Sequence, residues 1–337
     1  MVQMTSYEEH PFAEYIRIIG KGKNGVRPLT EEEAWKAMCM ILKDEVEPVQ
    51  MGAFLMLMRM KEESPEEVAG FVRATRDCID IPDDAPQVDL DWSSYAGKRR
   101  HLPWFILSTL LLAENGTTVF MHGASGHTNG RIYTRDVLAA LGIAPCISIA
   151  EACNRMKRDN FAYLDIQFLC PKMNEIIELR PLMGLRSPVH TVARSINPFH
   201  AANVMQGIFH PGYRPVHQEA AQLLGEAHVA VIKGEGGEIE RNPDIPCLVQ
   251  RVHEGKLTED EWPALFKQRH VKDSALDVQR LAGVWRGETE DEYGEAAVVS
   301  TAAIALQLMG KADTPNDALK LAQSLWDNRA KDKTLAA

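Results

Sequence analysis

A chain of 337 residues with 45% hydrophobic and 25% charged side chains has the composition of a water-borne globular protein with one large or two smaller cores. A formal net charge of −10 argues against a uniformly basic nucleic-acid binder while leaving room for a local basic groove. The richest apolar run, Leu102 to Ala113, is broken by Pro103, Ser108 and Thr109 and is too short to span a bilayer. The opening Met1-Val2-Gln3 leads into Glu8, Glu9 and His10 and lacks the basic and apolar regions of a secretory signal, so a cytoplasmic location is expected.

The first 80 or so residues read as helices. Thr30-Glu31-Glu32-Glu33 is a capping box ahead of Ala34, Ala37, Met38, Ile41 and Leu42, which recur at helical spacing. Pro48 opens a second helix through the Met-rich stretch Met51 to Met60, which serves either as core or as a subunit interface. Ser64-Pro65-Glu66-Glu67 is a third start, with a Ser cap, Pro at the first helical position and Glu closing the box. Cys39 and Cys78 fall on helix-like patterns where a buried free thiol is expected. None of the six cysteines forms a CxxC pair, which weighs against a zinc or disulfide framework.

Pro82, Pro86 and the Asp-rich stretch from Asp83 to Asp91 read as a linker. Short β-like runs then alternate with helical ones: Thr117 to Met121, the helix Thr134 to Leu141, and His228 to Ile232 running into Lys233-Gly234-Glu235-Gly236-Gly237. Such alternation predicts an α/β domain with a mostly parallel central sheet, whose ligand crevice forms at the C-terminal strand ends. Thr314-Pro315-Asn316-Asp317 starts a last helix before a basic tail.

The stretches Leu29-Thr30-x-x-Glu33-Ala34, Gln50-x-Gly52-Ala53-Phe54-Leu55, Arg59-x-Lys61 and Glu66-Glu67-Val68-Ala69-Gly70 resemble the N-terminal domain of the anthranilate phosphoribosyltransferase and nucleoside phosphorylase superfamily. The resemblance continues through His122-Gly123, Asp136-Val137-Leu138-x-x-Leu141-Gly142, Arg180-x-x-x-Gly184-x-Arg186 and Asn197-Pro198. Leu102-Pro103-Trp104-Phe105 and Lys233 to Glu238 resemble a divergent group typified by the bacterial protein YbiB. The resemblance implies an N-terminal helical bundle, about residues 1–82, through which the family dimerises, and a larger α/β domain, about 83–337. Elements are free to cross between the two.

Departures from the family pattern concentrate where the phosphoribosyl donor would bind. In place of a Gly-Thr-Gly-Gly-Asp loop, whose backbone N–H groups would meet a pyrophosphate, stands Ser93-Ser94-Tyr95-Ala96-Gly97-Lys98-Arg99-Arg100. Lys98, Arg99 and Arg100 are either a side-chain phosphate site or a solvated turn. The family's Lys-His-Gly-Asn loop becomes Met121-His122-Gly123-Ala124, where His122 either orients an aromatic acceptor or hydrogen-bonds to backbone. Glu235, Glu238 and Glu240 lie near the family's adjacent Asp-Glu magnesium pair, but no two adjoin; they form a weak Mg²⁺ site or an ordinary acidic turn. On the acceptor side, Arg180 and Arg186 stand at matching positions, and the resemblance gives Arg180 the carboxylate of anthranilate.

Lys172, Arg194 and Lys233 add charge where the family is neutral or differs, and with Lys98, Arg99 and Arg100 they would line one crevice. Two functions follow. One is a basic groove tracking single-stranded DNA or RNA, aided by stacking on Tyr95, Tyr133 or Trp104. The other is a retained transferase using Mg²⁺-phosphoribosyl pyrophosphate and an aromatic acceptor.

Overall fold

The computed structural model describes residues 8–22 and 24–331. The chain's opening residues and the end of its basic tail, both read above, lie outside them.

Four helices come first: α1 (Ala13–Gly20), α2 (Glu31–Leu42), α3 (Pro48–Lys61) and α4 (Pro65–Arg76). Both expected capping boxes form. Thr30 accepts from the Glu33 N–H and Ser64 from the Glu67 N–H, and each glutamate returns a bond to its cap. Glu67 does more than cap. Fully buried, it also accepts from the Leu29 N–H at 2.8 Å and from Lys61 Nζ at 2.6 Å, so one carboxylate ties the entry of α2, the end of α3 and the start of α4 together. In α3, Met51, Phe54, Leu55 and Met58 face the core, whereas Val49 and Met60 are 79% and 80% exposed. Cys78 departs from expectation: it lies in the turn after α4 and is exposed, because the helix has already ended at Arg76.

A seven-stranded sheet follows, comprising β1 (Leu90–Ser94), β2 (Val119–Gly123), β3 (Phe161–Asp165), β4 (Asn203–Ile208), β5 (His228–Lys233), β6 (Cys247–His253) and β7 (Lys256–Trp262). Its order is β3-β2-β1-β4-β5-β6-β7; the first five strands are parallel, and β6 and β7 form an antiparallel hairpin at one edge. The sequence-predicted linker runs two residues too far, because Leu90 and Asp91 are buried in β1. Nothing in their local composition distinguishes a charged residue in a central strand from one in a linker.

Alternation along the strands sends Trp92, Met121, Tyr163 and Met205 to one face and Phe120, Ala162 and Leu164 to the other. The first face packs on α5 (Phe105–Glu114) and the long helix Glu292–Leu308. Every residue of α5 from Phe105 to Ala113 is buried, which explains an apolar run too short for a membrane but apolar on all sides. Among the described residues no helix is long and apolar enough to cross a membrane. The other face shares a core with the N-terminal helices, and the short helices Pro171–Glu178 and Val189–Ala193 join that core through Met173, Ile176, Val189 and Val192. Residues distant in sequence thus complete the helical layer.

Candidate functional site at the strand ends

Strand order reverses at β1, whose neighbours are β2 and β4. The connections leaving β1 and β4 therefore diverge to opposite faces and open a crevice at their C-terminal ends. Two adjoining clefts lie there, of about 490 and about 370 Å³. They share Arg99 after β1, Arg131 after β2, Phe209 and His210 after β4, and Gly236 after β5.

Charges at the back of the crevice are paired. Lys98, although a lysine in a loop, is 1% exposed and meets Glu240 at 2.5 Å. The other Glu240 oxygen accepts from the Phe105 N–H at the first turn of α5, at 3.0 Å. Burial pushes the Glu240 carboxyl up to about 7, and Lys98 and the Phe105 N–H pull the other way. Glu238 is equally buried. Its Oε1 accepts from the Ala96 N–H at 2.7 Å and the Gly97 N–H at 2.5 Å, while its Oε2 is buried without a partner. The loop after β1 is pinned from its other side by reciprocal 2.8 Å backbone bonds between Lys98 and Ile132.

Nearer the opening, the charges are unpaired. The smaller cleft is lined by Arg59, Arg99, Arg131, Arg180, Arg186 and Arg194, with Glu63 as its one carboxylate. Among the described residues none of these arginines makes a salt bridge, and five of them, all but Arg99, are bonded to neutral oxygens. Arg180 donates to the His127 carbonyl at 2.7 Å and to Thr128 Oγ1, to which Arg186 also donates at 3.1 Å. Arg194 donates to the His190 carbonyl at 2.7 Å, and Arg131 to the carbonyls of Ala96 and Gly97 at 2.8 and 3.0 Å. Burial and then the neighbouring Arg194, Arg131 and Arg180 hold the Arg186 guanidinium down to about 10, still charged at neutral pH. The larger cleft adds the exposed Arg100, Lys233, Arg269 and Lys272.

Three histidines sit against this cluster and stay neutral. Burial, then Arg186, lowers His127 to about 4; burial, then Arg194, lowers His217 to about 3. Burial drives His190 well below its ordinary value. These three rings therefore add no imidazolium charge to the arginines at neutral pH.

With this geometry in hand, the comparisons decide the lineage. The description "Glycosyl transferase family, helical bundle domain" matches residues 13–78, and "Glycosyl transferase family, a/b domain" matches residues 106–330. The chain belongs to this glycosyl transferase family. It is 27% identical over 308 residues to the anthranilate phosphoribosyltransferase of Caldivirga maquilingensis, covering 89% of this chain and 90% of that one. It is 27% identical over 237 residues to the uncharacterised Escherichia coli protein YbiB, covering 69% and 73%. Among solved structures it resembles anthranilate phosphoribosyltransferase from Thermus thermophilus, with a TM-score of 0.78, 21% identity and 94% of each chain covered. The Saccharomyces cerevisiae enzyme in complex with PRPP and Mg gives a TM-score of 0.77 at 13% identity, covering 96% of this chain and 95% of that one. At such identities these structures speak for the fold alone.

Against the family pattern, the sequence-predicted residues divide. Arg99, Arg100, Arg180, Arg186, Arg194 and Lys233 do line the two clefts. Lys98 touches the larger cleft, but its ammonium is spent on Glu240, so it is not a free groove cation. Lys172 is elsewhere, at the start of the helix Pro171–Glu178, bonded to Asp44 and, at 2.9 Å, to Glu175.

His122 cannot meet an acceptor: it lies wholly inside β2, bonded to Tyr95 Oη at 2.8 Å and to Asp91 at 3.3 Å, and stacked on Phe120. Tyr95, Tyr133 and Trp104 are buried as well and offer no stacking face. Glu238 and Glu240 point into separate internal bonds, and Glu235 accepts from Asn242 at 3.2 Å. Among the described residues no group of three or more His, Cys, Asp or Glu side chains could hold a metal ion. Of the three carboxylates only Glu235 lines a cleft; Glu238 and Glu240 are buried in internal bonds and offer Mg²⁺ no open position.

Sequence reasoning missed Arg59, Arg131, Phe209, Arg269 and Lys272. For Arg131 and Phe209 the signal was present: each lies in the connection that leaves a parallel strand. Arg59 stood in the Arg59-x-Lys61 stretch of the resemblance without being read as a cleft residue; Arg269 and Lys272 come from distant segments, and nothing local marks them.

Proposed function

We propose that this chain binds single-stranded nucleic acid, DNA or RNA, along the arginine-lined crevice, with a donor site that no longer holds phosphoribosyl pyrophosphate. The observation carrying this reading is the set of six arginines around one cleft, none of which makes a salt bridge among the described residues. Six arginines against the single carboxylate of Glu63, with no salt bridge to it, favour an anion, and their mutual repulsion is relieved when one arrives. Arg180 and Arg186 share Thr128 Oγ1, while Arg59, Arg99 and Arg131 come from other segments around the cleft, so the cluster suits an anion with more than one phosphate. Phe209, 50% exposed between the two clefts, is the stacking face that the buried aromatics fail to supply. The overall charge of −10 is compatible because the cations are segregated at the strand ends.

Dimerisation through α3 would put two crevices on one particle and raise affinity for a long strand through effective concentration. The exposed Val49 and Met60 support that arrangement; a monomer by light scattering at micromolar concentration would remove it. A retained transferase is the second reading, favoured by the relatives named anthranilate phosphoribosyltransferase and by the yeast neighbour bound to PRPP and Mg. Release of pyrophosphate from donor and anthranilate, with added Mg²⁺, would establish it.

A paired titration separates the two. A fluorescent single-stranded oligonucleotide is titrated with the protein at low salt, with and without excess phosphoribosyl pyrophosphate. Saturable strand binding that the donor barely displaces is expected. Absence of strand binding at low salt sinks the proposal.

A further inference from the structure

The loop after β1 has kept a backbone anion seat, and the chain fills it with its own carboxylate. Two consecutive N–H groups, of Ala96 and Gly97, converge on a single oxygen of Glu238 at 2.7 and 2.5 Å. Paired backbone donors of this kind are the usual way a loop holds a phosphate oxygen. We propose that Glu238 is a specificity-determining residue: it is the internal anion of that seat and shuts out compact phosphates and diphosphates.

The carboxylate is held there by construction. The main chain of residue 238 lies so close to Gly207 in β4 and Gly234 after β5 that a Cβ on either would clash. At Gly207 it would meet the Glu238 carbonyl carbon at 2.7 Å, and at Gly234 the Glu238 oxygen at 1.4 Å. Both glycines are therefore needed to seat the main chain of residue 238 against the sheet.

The electrostatics agree. Burial depresses Arg194 and Arg131, and Glu238 opposes that depression at both. Arg131 also joins the two walls of the seat, donating to the carbonyls of Ala96 and Gly97 and, at 3.4 Å, of Gly236. With the carboxylate gone, two N–H donors would face a space of carboxylate size without an anion, and Arg131 and Arg194 would lose a nearby negative charge. Glu238 Oε2 has no hydrogen-bond partner, so the carboxylate is only half satisfied by the seat. Arg131 Nε is buried without an acceptor as well, a donor that the carboxylate leaves idle and that a further phosphate oxygen would suit.

This inference does not rest on nucleic-acid binding, and the two fail separately: one is read with inorganic pyrophosphate, the other with an oligonucleotide. The test is calorimetric titration of the full chain with inorganic pyrophosphate, without metal, for the unaltered protein, Glu238→Ala and Glu238→Gln. Amide NMR of Ala96 and Gly97 follows where the anion goes. Glu238→Ala should bind pyrophosphate at least about tenfold more tightly than the unaltered chain, the worth of one charge-assisted hydrogen bond, with both amides shifting on titration. Glu238→Gln keeps the size but not the charge and should gain less. If Glu238→Ala fails to fold by circular dichroism, the Gln variant decides alone. Equal pyrophosphate affinity in the unaltered and folded variant chains, or gained binding that leaves the Ala96 and Gly97 amides unmoved, overturns the proposal.

Discussion

The back of the crevice and its mouth carry the same kinds of residue in opposite electrical states. Behind, Lys98 meets Glu240, and Glu238 meets two N–H groups. In front, Arg180, Arg186 and Arg194 are anchored by carbonyls and a threonine hydroxyl, which fix their positions without cancelling their charge. The contrast teaches that a basic residue's role here is set by its partner rather than its place in the sequence. Lys98 and Arg99 are neighbours in the chain, yet one is architecture and the other faces the cleft.

The sharpest way to break this contrast is to remove a charge from the paired layer. Lys98→Ala strands Glu240 in the interior and should cost about 3–5 kcal/mol of stability, read as a drop in the denaturation midpoint. A loss no larger than a surface substitution's would mean the pair is solvated and the two layers are not distinct. Acid should act on the same architecture. His127 and His217 have folded pKa values of about 4 and about 3, below the ordinary 6.5. The unfolded chain therefore takes up protons that the folded one refuses, and their contribution, complete above pH 6.5, is lost as pH falls from there towards 4. Histidine titration by NMR showing either residue protonating near pH 6.5 in the folded state would contradict this.

Arg131 sits on the boundary, bonded to the carbonyls of the inner loop while lining both clefts. Arg131→Ala should lower thermal stability and strand affinity together, with about 1.5–3 kcal/mol attached to its lost hydrogen bonds. A change in only one of the two would assign it to a single layer. Phe209→Ala belongs wholly to the mouth: it should weaken single-strand binding by about 1–3 kcal/mol, the worth of one stacked base, and leave the melting temperature in place. Undiminished strand affinity would remove Phe209 as a stacking face.

Much of the fold was legible in the chain because its signals are local. Thr30 and Ser64 announce helix starts through residues three positions away, and the run around Val119 announces a strand through its own side chains. The site was legible only in outline. Arg180, Arg186 and Arg194 could be read as crevice residues from the resemblance, but whether a cation is free depends on what folding brings beside it. Nothing near Lys98 in sequence points to Glu240, 142 positions later, and nothing near Lys172 points to Asp44, 128 positions earlier. His122 misled for a related reason: a His-Gly pair after a strand reads as a loop, whereas β2 extends through Gly123 and buries the ring.

The central claim is that the unpaired arginines at the mouth bind the phosphates of a strand. Its most direct test is the salt dependence of oligonucleotide binding in the unaltered chain and in Arg180→Ala/Arg186→Ala, measured as one series. Binding of the unaltered chain should fall linearly on logarithmic axes, and the double variant's slope should be shallower by about 1.4, roughly 0.7 for each phosphate that is no longer neutralised. Identical slopes in the two proteins, or binding indifferent to salt in the unaltered chain, would contradict the account.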